Sequence, residues 1–107
     1  MKVSMFLAVV ALAGGVHAAP SAVVTGRVLV CNVPGHCLTR VFHVAAVDRA
    51  GRVVARVSTF GTGNVYRLRV TAGRYALVAT SNGLRCRGSV VAVARRTVSA
   101  NITCLVP

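Results

Sequence analysis

Negative charge is almost absent from this sequence. Asp48 is the one acidic side chain among 107 residues, set against 13 Lys and Arg. Chemistry that needs paired carboxylates is excluded. A Ser-His-Asp triad would have Asp48 as its sole acid, and an Asp in a tight turn usually bonds its own backbone. Tryptophan is also absent, and Phe and Tyr together number five. That shortage removes the stacking platforms of single-strand nucleic-acid binders and aromatic sugar-binding faces. No stretch of eleven or more residues carries a helical hydrophobic period. A groove-reading recognition helix is therefore not expected. No Gly-x-Ser-x-Gly elbow or glycine-rich phosphate loop occurs. Linkers, repeats and low-complexity tracts are missing too. The length leaves room for one domain, and 55% apolar residues is too many for a disordered chain.

Residues 1–18 have the pattern of a secretory signal peptide. Lys2 provides the positive start. Met5 to Ala13 is an apolar run of nine, too short to span a bilayer. Val16-His17-Ala18 places small residues where a signal peptidase reads, so cleavage is expected after Ala18. No Cys follows the run to take a lipid anchor. Residues 19–107 then form the domain, with twelve arginines, no lysine and a charge of +11. A chain of this size has a marginal core and commonly relies on covalent staples outside the cell.

The remainder alternates short valine-rich segments with turn residues. Seven strands are predicted: 22–31, 41–48, 52–58, 65–70, 74–80, 89–94 and 97–104. Such spacing marks an antiparallel sandwich or barrel. Tyr66, Leu68 and Val70 alternate with Arg67 and Arg69. Val53, Ala55 and Val57 alternate with Arg52, Val54 and Arg56, and Val98, Ala100, Ile102 and Cys104 with polar neighbours. The period of two sends the first set of each inward and the second to water. Asp48-Arg49-Ala50-Gly51, Thr71-Ala72-Gly73 and Ser81-Asn82-Gly83 are turn signals. His43 falls on an outward position.

The four cysteines allow three pairings. Cys31 and Cys37 flank Pro34-Gly35, a ready turn. A three-residue loop at Ala94-Arg95-Arg96 sets a hairpin register that puts Cys86 opposite Cys104. The expected disulfides are Cys31–Cys37 and Cys86–Cys104. Cys31, His36, Cys37 and His43 could also be written as a zinc set. The spacing of the two thiols is too long for that, and an exported chain oxidises them. No metal or cofactor is expected.

From Val44 onward the chain resembles the carboxypeptidase regulatory-like domain, a transthyretin-like (prealbumin-like) β-sandwich. The resemblance rests on Asp48-Arg49-Ala50-Gly51, Ser58-Thr59, Gly63, Tyr66-Arg67-Leu68-Arg69-Val70 and Gly73-Arg74-Tyr75-Ala76-Leu77, about forty residues. It implies a single antiparallel Greek-key sandwich of about seven strands, with Tyr66 and Tyr75 in the core. It leaves the loop from Phe60 to Asn64 unspecified. Some transthyretin-like proteins hydrolyse hydroxyisourate and share a Tyr-Arg-Gly-Ser ending. Cys104-Leu105-Val106-Pro107 lacks it, so that activity is not carried over.

The arginines remain. Arg, Ala, Val and Gly enrichment is what a GC-rich genome gives, yet the charge acts whatever its origin. Arg52, Arg56, Arg67 and Arg69 are expected in one outward patch, and Arg85, Arg87, Arg95 and Arg96 in another at the last hairpin. Both are candidate anion-binding groups. The expectation is a secreted, non-enzymatic binding or structural module at the cell envelope. Its partners are anionic envelope polymers or another envelope protein. A secreted antimicrobial or toxin-like protein acting on anionic membranes is the alternative, disfavoured by the lack of a basic amphipathic helix. A small metal-dependent enzyme is the remote one.

Overall fold

The computed structural model describes residues 20–33 and 36–104. The predicted signal peptide and the Pro34-Gly35 turn lie outside the described residues. All described regular structure is β. The strands are β1 (Ser21–Val33), β2 (His36–Cys37), β3 (His43–Val47), β4 (Val53–Ser58), β5 (Val65–Thr71), β6 (Gly73–Ser81), β7 (Leu84–Ala92), β8 (Thr97–Ser99) and β9 (Ile102–Cys104).

Val-rich alternation makes these segments strands, and turn chemistry joins them. Asn82 (φ 45°) and Gly83 (φ 83°) link β6 to β7. Two consecutive positive φ angles are what a type I′ hairpin turn requires. The turn fixes a nine-pair register from Gly73–Ala92 to Ser81–Leu84. At the β3–β4 turn the Asp48 carboxylate accepts the Ala50 and Arg52 N–H groups, both at 2.9 Å.

β1 organises the whole. Residues 21–27 pair antiparallel with β5, residues 23–25 pair parallel with β8, and residues 28–30 pair parallel with β9. From β9 the sheet runs on through β7, β6 and β3 to β4. Sharing β1 in this way makes one continuous sheet that curls into a nearly closed barrel. Among the described residues the only backbone pairing between the β4 and β5 sides is Phe60 with Val65. Leu77, Tyr66, Phe42, Ile102, Val24, Val28, Val30 and Val44 are fully enclosed within the curl.

Three expectations change in detail, the first being that the strand expected at 89–94 runs from Leu84 to Ala92. The segment 97–104, read as one strand against β7, is broken at Ala100-Asn101. Ala100 N–H reaches the Thr25 carbonyl at 2.8 Å, and the Asn101 side chain accepts the Arg27 N–H. β8 thereby crosses to β1, and only β9 stays beside β7. Thr103 opposite Arg87 keeps the expected register there. Val53, assigned inward, is 45% exposed. The β3–β4 pairing shifts between Ala46 and Val47, and such a bulge re-aims the residues around it.

Tyr66 shows how packing sets chemistry. Its ring is buried and its hydroxyl donates to the Ala100 carbonyl. Burial pushes its pKa up to about 12 from 10.0. The unfolded tyrosine ionises first, so this contribution to stability is whole below pH 10 and is lost as pH rises from 10 to 12. Urea midpoints should therefore fall over that range. Tyr66→Phe should flatten the fall and cost about 1 kcal/mol at pH 7 through the lost hydrogen bond. An unchanged alkaline profile in the variant would refute this.

Candidate anion-binding face

Both disulfides form as expected, Cys31–Cys37 and Cys86–Cys104, and no cysteine is free. The set Cys31, His36, Cys37 and His43 cannot offer two thiolates once these bonds exist. Cys86 and Cys104 are buried between β7 and β9, with Cα atoms 4.9 Å apart. They anchor the short β9 strand.

All twelve arginines are exposed. Among the described residues one ion pair occurs, Arg52 Nε to Asp48 Oδ2 at 3.5 Å. The Asp48 carboxyl is held below its ordinary range, first by the Arg52 N–H; desolvation opposes this, and the Ala50 N–H and the Arg52 charge add to the lowering. The acid is occupied with its own turn.

Strand register shows how the candidate arginines are distributed. On the outer surface Arg56, Ala45, Val78 and Arg87 form one row across β4, β3, β6 and β7. Ser58, His43, Thr80 and Arg85 form the next row. Arg56 and Arg87 stand three strand spacings apart, about 14 Å. A shallow cleft of about 680 Å³ lies between β4 and β6, lined by His43, Ala45, Val53, Arg56, Ser58, Val78 and Thr80 among others. Arg56 is the one arginine in its lining. His43 Nδ1 and Ser58 Oγ are 3.3 Å apart there.

Arg67 and Arg69 leave β5 on the outer surface, opposite Thr25 and Val23 of β1. Both line a shallow depression against Val57 of β4, and Arg69 also lines a second against Val54. Arg52 sits at the β3–β4 turn. The second predicted group is divided. Arg85 and Arg87 occupy the first half of β7, while Arg95 and Arg96 follow its far end. There Arg95 N–H bonds the Ser21 carbonyl and the Arg96 carbonyl accepts the Val23 N–H. The arrangement is a distributed cationic surface. None of the depressions described among these residues is lined by more than two arginines.

Asn64 is the residue that sequence reasoning passed over. It lies within the unspecified loop, buried, at φ 49°. Its amide donates to the Val28 and Leu38 carbonyls at 3.0 and 2.8 Å and accepts the Arg40 N–H at 3.0 Å. It ties the turn before β5 to β1 and to the segment leading to β3. An Asn after Gly61-Thr62-Gly63 was the available signal, since Asn tolerates the left-handed region.

No helix among the described residues is long and apolar enough to cross a membrane. No family model matches the chain, and no curated protein matches it in sequence.

Proposed function

We propose that this is a secreted, non-enzymatic binding module that holds anionic polymers of the cell envelope through its arginine surface. One observation carries the reading: twelve exposed arginines share the surface with a single acid that is tied into its own turn. Such a surface attracts polyanions over its whole extent. Two disulfides on so small a chain fit export to an oxidising compartment. The Asp48 turn, the buried Tyr66 and Tyr75 and the change of partners midway along β1 support the carboxypeptidase regulatory-like, Greek-key sandwich reading. In that reading β5-β1-β8 forms one layer and β9-β7-β6-β3-β4 the other.

Distributed charge predicts how variants behave. Arg67→Ser with Arg69→Ser should lower affinity by a similar factor for DNA and for heparin. It should cost under about 0.5 kcal/mol of stability, because both side chains face water. Paired fluorescence-anisotropy titrations and urea unfolding check this. Loss of affinity for one polymer alone would overturn the reading. Leakage of anionic vesicles at concentrations that saturate heparin would favour the membrane-active alternative.

A further inference from the structure

The barrel stops short of closing between β4 and β5, and the reason is visible in the register. Phe60 and Val65 exchange both backbone hydrogen bonds, at 2.8 and 2.9 Å. Among the described residues no further backbone bond joins β4 to β5. The backbone groups nevertheless point across the gap. Thr59 N–H bonds the Phe42 carbonyl, so alternation along β4 directs Val57 and Ala55 toward β3 and leaves Ser58 and Arg56 turned to the gap. Asn64 bonds Val28, so Tyr66 and Leu68 bond toward β1, and Arg67 and Arg69 turn to the same gap from the other side.

Continuing the Phe60–Val65 register would set Ser58 opposite Arg67 and Arg56 opposite Arg69. Like charges directly opposite destabilise a pair, and here they oppose zipping. Two depressions follow the open seam. One of about 180 Å³ is lined by Val57, Leu68, Val23, Arg67 and Arg69. The other, of about 260 Å³, includes Val54, Val70, Tyr75 and Arg69.

We propose that this seam is a docking site for an extended acidic peptide segment of a partner protein, added as a strand. Its main chain would use the unpaired groups of Arg56 and Ser58, or of Arg67 and Arg69. Its apolar side chains would enter the depressions, and its carboxylates would meet Arg56, Arg67 and Arg69. Main-chain bonds with alternate side-chain pockets are the means by which open sheet edges take peptides. A second copy of this chain is a poor occupant, since its single acid is engaged and its charge is repulsive. The site shares arginines with the polyanion surface but differs from it in needing a peptide backbone.

The probe is an end-blocked, labelled seven-residue peptide alternating valine and glutamate, titrated at about 0.15 M salt. Two further versions carry N-methyl groups on every second amide, one for each edge. At least one of them should bind tenfold or more weakly, although charge and composition barely change. Arg69→Glu, which places an acid across from Arg56, should weaken the parent peptide at least tenfold more than Arg74→Glu, a matched charge change on β6. Both variants change the charge by two, so heparin affinity should fall by a similar factor in each. Equal binding of all three peptides, or equal effects of the two substitutions on the peptide, would overturn the proposal. Heparin binding reports on the polyanion surface separately in the same samples.

Discussion

Gly26→Ala is expected to destabilise the protein by about 3 kcal/mol, the upper range for overpacking a tight site. The added methyl would overlap the Ala100 carbonyl oxygen and would stand 3.1 Å from the Tyr66 ring. Neither neighbour can yield cheaply. Ala100 is held by its N–H on the Thr25 carbonyl, and its own carbonyl accepts the Tyr66 hydroxyl. This is the point where β8 gives way to β9 and β1 changes partners. Relief would have to separate those elements. In a domain of this size the loss should lower Tm by roughly 12–24 °C. Gly88→Ala is the matched control, because its methyl would meet Ile102 Cγ1 at an ordinary 3.4 Å. It should stay within about 1 kcal/mol. Thermal unfolding of the two variants side by side gives the answer. Similar losses for both would show that the Gly26 crossing is not the tight point described.

Replacing Cys86 and Cys104 together by alanine should cost about 3 kcal/mol, the loop-entropy contribution of a ring this size. The bond closes 18 positions of sequence and fastens β9, three residues long, to β7. Cys31→Ala with Cys37→Ala should cost less, about 2 kcal/mol. That bridge spans a separation of 6, and both cysteines are exposed. Urea unfolding of the two double variants tests the order. A larger loss from the Cys31–Cys37 pair would contradict it. Polyanion affinity measured below both midpoints should stay near that of the parent in each case, since neither bridge contributes charge.

Local rules made much of this fold legible. Alternating Val, Tyr, Leu and Arg placed Tyr66, Leu68 and Val70 inside and Arg67 and Arg69 outside. Asn82-Gly83 announced its turn, and hairpin arithmetic paired Cys86 with Cys104. What stayed hidden was non-local. Nothing in the segment from Thr97 to Cys104 says that its first half will leave β7 and lie parallel to β1. That choice depends on Gly26, about seventy positions away in sequence, which alone allows the Ala100 backbone so close. The bulge that exposes Val53 depends likewise on how β3 meets β4. The hub at Asn64 depends on carbonyls from two other segments. Arginine exposure could be read from the alternation, but the grouping of the arginines could not. Arg95 and Arg96 are near Arg85 and Arg87 in sequence, yet β7 carries them to its opposite end.

The salt dependence of binding addresses the proposed function most directly. Affinities for heparin and for double-stranded DNA would be measured by anisotropy from about 50 to 200 mM salt, where a protein releasing six or more counterions loses about a thousandfold. Arginines spread over the outer surface should give straight log–log plots of similar slope for both polymers, with binding nearly gone at the upper end. Tight binding to one polymer that persists at high salt would contradict the distributed surface, because it would demand a shaped site with converging groups.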